Sequence, residues 1–377
     1  MKITIVTPFY PPSIGGVEII AKDTAEELAR RGHDVAVITT THDNRWTKIT
    51  EVGTYSINNV KVHRLNPSWL KIGYATIISG LKDKLMETMP EIVHCHNLHP
   101  HLFQVIRWKE KLNYKVIAQL HCPKATGIDY LLGRLLFEPI TYYLKKVQDK
   151  IDAFIAHTDF EESWLKEVGI EQSKIYKVRY PCVPRSLLEK YRESSLNDYI
   201  LYFGRISWRK GIHILLKAIS LINLNKFRVV IVGPRDEKYF EKLLRLTESL
   251  KLNDKVEFID KVSEDKKYEL MSESAFFVSP SIKDHHPMTL LEAQALGKPV
   301  ISTNVGAIPE IVLNRETGIL VDPYDVEGLA KAVEQLMINK EKRRKMGENA
   351  RKWIEDNFLL EKTIDSLEEV YTKPWIK

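Results

Sequence analysis

The sequence predicts an α/β chain built as two doubly wound domains that face each other across a cleft. A chain of 377 residues exceeds what one ordinary hydrophobic core encloses. Short apolar runs with strand character alternate with amphipathic segments of helical length along most of it. The alternation also starts twice, at Lys2 and again at Tyr199, each time as a strand that runs into a glycine-bearing loop and then a helix.

In the first half, Lys2–Thr7 reads as a fully buried strand. The loop Pro8–Gly16 follows, then an amphipathic helix over Val17–Arg31 ended by Gly32, and a second parallel strand over Val35–Thr40. Gly15-Gly16 is not a G-x-G-x-x-G, so it gives a dinucleotide site little support, and a flexible turn explains it equally well. Glu91–His96 is the next strand and ends in His94, His96, His99 and His101. That cluster suits either a metal or hydrogen bonding along a cleft, since His94 and His96 share a strand face. A zinc-dependent hydrolase using His94, His96 and His99 is therefore carried as an alternative, although no downstream Asp/His set has ligand spacing. Lys115–Leu120, Ile151–His157 and Ile175–Val178 complete the strands, with His121 at the end of the first of these, and Asp159–Val168 reads as a helix. Tyr180–Pro184 is a stiff connection. It sets the expected boundaries: residues 1–184 and a returning helix within 361–377 as the first domain, 185–360 as the second.

Composition narrows the function classes. Formal net charge is +6, from 56 basic and 50 acidic residues, a mixed balance that does not call for nucleic acid. Cys95, Cys122 and Cys182 form neither a CxxC nor an even-numbered framework, which points to free thiols and a cytoplasmic setting. Neither a signal peptide nor a membrane-spanning stretch is expected. Ser68–Met86 and Lys124–Lys150 mix apolar residues with Lys71, Lys82, Lys84, Arg134, Lys145 and Lys146. That pattern fits helices packed on the first sheet, or a face in peripheral contact with a membrane.

The second half restarts with Tyr199–Phe203, then Gly204-Arg205 and Lys210-Gly211 at the head of a helix to about Leu221. Phe227–Val232, Val256–Ile259 and Gly318–Val321 are further strands, and Asp325–Ile338 is an amphipathic helix. The densest stretch is Ser281–Glu310. Here an apolar strand over Ala275–Pro280 leads to a loop with Asp284, His285 and His286. Pro287 then opens a helix to about Leu296, Gly297 closes it, and Lys298–Thr303 returns as a strand. Such a unit brings a helix N-terminus and its free N–H groups to the carboxyl edge of a parallel sheet, where anionic ligands bind. Glu292, inside the helix, suits the hydroxyls of a vicinal diol, as in a ribose. On spacing alone a solvated helix carboxylate at Glu292 and a plain loop acid at Asp284 are the commoner reading.

The run DHHPMTLLEAQALGKPVISTNVGAIPEIV, with Gly204-Arg205, Lys210-Gly211 and Gly15-Gly16, resembles family 4 glycosyltransferases, which are retaining enzymes of GT-B fold. The resemblance covers nearly the whole chain. It implies two Rossmann-like domains, with the helix around Lys362–Tyr371 crossing back onto the first. It departs from the family at Asp284, where a glutamate is usual, at His286-Pro287 in place of an aromatic-glycine pair, and at the missing Pro-Asn-Gly-Val turn.

What the resemblance implies is a hexosyltransferase moving sugar from a UDP- or GDP-linked donor to a hydroxyl on a glycan, a lipid-linked glycan or a small molecule. No metal is expected, and the sequence lacks an Asp-x-Asp pair. Catalytic roles pass to His121, Arg205, Lys210 and Asp284. Donor binding passes to Gly15, Gly16, Arg205, Lys210, Asp284, His286, Pro287, Met288, Thr289 and Glu292, with Val262 at the base and Glu292 on the ribose. A non-catalytic sugar-nucleotide-binding protein on the same fold remains a further alternative, since binding and catalysis share these residues.

Overall fold

The computed structural model describes the chain except residues 14, 44, 73–74, 98–99, 122–140, 182, 192–197, 224–226, 285 and 375–377. His99, Cys122, Cys182, Arg134 and His285 from the sequence reading therefore lie outside the described residues. The chain divides into two compact units, Met1–Pro181 with Leu360–Lys377, and Cys182–Leu359.

Unit 1 is an eight-stranded sheet. In chain order its strands are β1 (Lys2–Val6), β2 (Asp34–Thr40), β3 (Gly53–Ile57), β4 (Val60–Leu65), then β7 (Ile92–His96), β8 (Lys115–Gln119), β9 (Ala153–Ala156) and β10 (Ile175–Lys177). They lie in the order β10-β9-β8-β7-β1-β2-β4-β3, all parallel except β3, which pairs antiparallel with β4. Because the inner strands are apolar on both faces, each face carries its own core. One face is covered by the helix Gly16–Arg30 (α1) and by the C-terminal helix Leu360–Thr372, whose Ile364, Leu367 and Tyr371 are buried among Ile5, Val37 and Ile117. The C-terminal helix thus returns to the first unit. Arg31 fastens it with bonds to Asp365 and Glu368 at 2.6 Å each, while Glu27 takes the same guanidinium at 3.1 Å. The opposite face packs the helix Pro100–Leu112 through Leu102, Val105 and Ile106.

The stretch Ser68–Met86 corrects the expectation of a packed or interfacial helix. Pro67–Ile72 (β5) and Ala75–Ile78 (β6) form an antiparallel pair, and only Leu81–Thr88 is helical. The β-branched run Thr76-Ile77-Ile78 favours the pleated form.

Unit 2 holds six parallel strands: β11 (Tyr199–Phe203), β12 (Arg228–Val232), β13 (Val256–Ile259), β14 (Phe276–Ser279), β15 (Val300–Thr303) and β16 (Gly318–Val321). Their order is β13-β12-β11-β14-β15-β16. Counted from β11 this is 3-2-1-4-5-6, the doubly wound order, and its direction reverses between β11 and β14. The helices Ile212–Ser220 and Val326–Ile338 cover one face, and the helix Met288–Ala295 (α10) the other. The expected Asp325–Ile338 helix starts one residue later because the Asp325 carboxylate is its cap, accepting the Gly328 N–H.

Candidate functional site

In an open α/β sheet, the loops leaving two strands on either side of the order reversal diverge and leave room for a ligand. In unit 2 these loops follow β11 and β14, and they carry Arg205, Lys210 and Asp284. Their mutual placement has a local cause. Gly211 has φ of +69°, and a Cβ there would stand 2.0 Å from the Pro280 carbonyl oxygen, so only glycine lets the two loops approach this closely. The Arg209 carbonyl then accepts the Ile282 N–H at 2.8 Å, fixing one loop on the other. As a result the Lys210 ammonium pairs with the Asp284 carboxylate, although 74 residues separate them, and Ser281 Oγ donates to the same carboxylate oxygen at 3.1 Å. Arg205 is exposed at the end of β11, with its carbonyl held by Tyr202 O–H at 2.9 Å.

Below this pair, α10 begins. Pro287 is its N-cap rather than its first helical residue, and no side chain caps it, so the backbone N–H groups of Met288 and Thr289 head the helix without a capping oxygen. His286 and Thr289 are half-buried there. Glu292 is only 8 % exposed. Its Oε1 accepts Lys267 Nζ at 2.9 Å and Tyr268 O–H at 3.4 Å, whereas Oε2 is buried and has no hydrogen-bond partner. A solvated helix carboxylate would show neither feature. Lys267 and Tyr268 escape the sequence reading because they sit on the helix Glu264–Glu273, which carries no motif. Only the proximity of that helix to α10 makes them partners. Val262 is half-buried, between the end of β13 and Ser263, which caps the same helix.

In unit 1 the order reverses between β1 and β7. Gly15 caps α1 with extended backbone, and Gly16 is its first helical residue. A Cβ on Gly16 would meet nothing within 4 Å. At the ends of β7, β8 and β9 the imidazoles form a column. His94 and His96 have ring centroids 4.8 Å apart, His96 and His121 5.1 Å, and His121 and His157 5.4 Å, with Tyr180 stacked on His157 at 3.8 Å. Register explains it, since His96 stands beside Gln119 and Gln119 beside Ile155, which puts these positions on one sheet face.

At least one nitrogen of each imidazole makes an internal bond, while His94 Nε2, His96 Nε2 and His157 Nε2 are buried without a hydrogen-bond partner. His94 Nδ1 meets Tyr371 O–H at 2.6 Å, His101 Nε2 donates to the His96 carbonyl at 2.9 Å, and His157 Nδ1 donates to the Val178 carbonyl at 2.6 Å. The Gln119 amide nitrogen and His96 Nδ1 each lie 3.0 Å from His121 Nε2, and His121 Nδ1 lies 3.4 Å from Tyr180 Oη. Both His121 nitrogens are thus engaged within unit 1. Burial pushes His94 and His157 down to about 3 and His96 well below the ordinary imidazole range. Nothing supports the zinc reading: His99 lies outside the described residues, and no group of three or more His, Cys, Asp or Glu side chains that could hold a metal ion occurs among the described residues.

Two family models cover most of the chain: "Glycosyltransferase Family 4" over residues 14–180 and "Glycosyl transferases group 1" over residues 186–353. The chain is similar to N-acetyl-alpha-D-glucosaminyl L-malate synthase of Bacillus anthracis, at 26 % identity across 98 % of this chain and 97 % of the relative. Among solved structures it resembles a glycosyltransferase from Rickettsia africae, with a TM-score of 0.78 at 22 % identity over 98 % of this chain and 97 % of that one. It also resembles Anabaena HepE in complex with UDP-glucose, with a TM-score of 0.73 at 17 % identity over 98 % of each chain.

Proposed function

We propose that the chain, which belongs to the family 4 glycosyltransferases, moves a hexose from a nucleoside-diphosphate donor to an acceptor hydroxyl, retaining the anomeric configuration and needing no metal ion. The observation that carries this reading is the unpartnered Oε2 of buried Glu292, behind the Lys210 and Asp284 pair and the uncapped head of α10. An unpartnered carboxylate oxygen on the helix whose uncapped head follows the Lys210 and Asp284 loops suits a ribose next to a diphosphate. The malate acceptor named for the Bacillus relative and the UDP-glucose of HepE support a nucleotide-sugar donor and a hydroxyl acceptor.

The difficult step is the loss of the diphosphate. As the C1–O bond breaks, its electron pair passes to the departing phosphate oxygen, and the acceptor hydroxyl attacks C1 from the same face while its proton goes to that oxygen. Arg205, Lys210 and the N–H groups of Met288 and Thr289 would meet the growing charge, a task otherwise given to a metal. Asp284, holding Lys210, would take sugar hydroxyls. In the same reading Gly15, Gly16 and His121 keep the roles implied by the family resemblance, and Val262 and His286 line the donor. A panel of UDP- and GDP-sugars tests the reading. Turnover undiminished in EDTA, with an α-linked product from an α-linked donor by NMR, is expected. Activity lost on chelation and restored by zinc would sink it.

Glu292→Gln is expected to weaken nucleoside-diphosphate affinity about tenfold, because its charge-assisted bonds to ribose hydroxyls become neutral ones. Calorimetry with UDP and GDP checks this, and unchanged affinity for both removes Glu292 from the ribose.

A lipid-linked acceptor would bring unit 1 to a bilayer. Among the described residues no helix is long and apolar enough to cross one. However, Tyr142 is 63 % exposed beneath Lys146, and Lys82 and Lys111 lie 4.6 and 5.3 Å from the Trp108 ring, which suits peripheral contact with anionic lipid. Flotation with phosphatidylglycerol vesicles should show salt-sensitive association, and none at low salt would discard the contact.

A further inference from the structure

Arg64 is a buried cation that the donor chemistry does not use. It lies near the end of β4, beside Thr39 of β2 in the parallel register, on the face that α1 covers. The residue is 3 % exposed. One guanidinium nitrogen donates to the Pro11 carbonyl, the Tyr55 ring lies 5.8 Å away, and the other terminal nitrogen, Nη1, has no hydrogen-bond partner. No carboxylate forms an ion pair with it among the described residues. Burial pushes its pKa down, and only Tyr55 and Tyr10 oppose that shift. Two more buried polar atoms near it also lack partners: Tyr10 Oη and Thr39 Oγ1, on residues 1 % and 0 % exposed.

An uncompensated buried guanidinium is costly, and leaving two hydroxyls unsatisfied beside it adds to the cost. All three groups can donate, so their joint complement is a group rich in acceptors and negatively charged. A water molecule would satisfy a hydroxyl but not the charge. The location also points to a ligand, because the ends of β2 and β4 and the loop after β1 form the carboxyl edge of the sheet.

We propose that Tyr10, Thr39 and Arg64 form a subsite for an anionic group, a carboxylate or a phosphate, carried by the acceptor. The Pro11 carbonyl gives up the guanidinium as the anion enters. Assigning that anion to an acceptor rests on the glycosyltransferase reading, but the binding itself does not.

The test uses the full chain carrying Lys210→Ala, which removes the cation proposed for the donor diphosphate. Thermal unfolding is followed against inorganic phosphate and, separately, malonate at constant ionic strength. At least one anion should raise the midpoint saturably, and Arg64→Met should abolish that rise, while Arg64→Lys keeps part of it. Phosphate alone acting would assign a phosphorylated acceptor, and malonate alone a carboxylated one. Should Arg64→Met fail to fold, Thr39→Val serves instead and should weaken the effective anion several-fold. A response that survives Arg64→Met, or a wild-type Arg64 protein indifferent to both anions, overturns the subsite. So does loss of the UDP response when Arg64→Met is made with Lys210 intact, which would reveal a structural role. Transfer activity in the parent protein, with Lys210 intact, alongside a failed anion response would fell the subsite and leave the glycosyltransferase reading standing.

Discussion

Lys210→Ala should lower turnover by about two to three orders of magnitude while the protein stays folded, with a much smaller change in the donor KM. In the resting protein the Lys210 ammonium already has a partner, Asp284, and a half-buried position. Its loss therefore removes one ion pair from a loop that Gly211 and the Arg209 carbonyl hold independently. Its larger value is expected where charge grows. Donor and enzyme meet before the C1–O bond breaks, but the diphosphate gains charge only as the bond breaks, so a fixed cation contributes more to the transition state than to the bound substrate. Arg205→Ala should behave alike, with a greater share in KM because the exposed guanidinium must first be ordered by the ligand. Steady-state kinetics at saturating donor settle the matter. Turnover of either variant within about threefold of the parent would remove it from the diphosphate site.

The residues that carry this prediction were legible in unequal measure. Arg205 and Lys210 could be placed from sequence because a strand, a glycine and a helix start within a few residues leave little freedom for where the loop goes. That Lys210 reaches Asp284 was not legible. The contact depends on strand order, which sets β11 beside β14, and on a glycine whose Cβ would strike the Pro280 carbonyl. The sequence leaves Glu292 open between solvent and ligand, because its partners Lys267 and Tyr268 lie on a neighbouring helix and leave no periodic signal. Strand β3 gave no signal for a different reason. It is an edge strand with mostly exposed side chains, so it lacks an apolar alternation. By contrast, the helix Lys340–Asn357 buries Arg343, Met346, Gly347, Ala350 and Ile354 at helical spacing. Its heavy charge hid a stripe that was present. The histidines show the limit from the other side, since strand parity put His94 and His96 on one face but could not say that Tyr371, from the far end of the chain, would take one of them.

That column makes stability strongly dependent on pH. His94 and His157 are held neutral with pKa values about 3, and His96 is held well below its ordinary value, in each case chiefly by burial. The unfolded chain titrates these imidazoles near 6.5. Below that pH the unfolded state binds protons that the folded state refuses, so stability is full above about 6.5 and falls as the solution is acidified. From about pH 7 to about pH 5.5 each histidine should cost roughly 1.3 kcal/mol, and the three together about 4 kcal/mol, a large fraction of the stability of an ordinary domain. Carboxylates add little over this window, because most titrate lower. Urea unfolding at several pH values measures the proton uptake directly from the slope. His157→Gln, which can still offer an N–H to the Val178 carbonyl, should remove about one proton from that uptake whatever it does to stability itself. A slope near zero between about pH 7 and about pH 5.5 would mean that the imidazoles are charged in the folded protein. The buried column would then need anionic partners that its hydrogen bonds to Tyr371, Gln119 and Val178 do not supply.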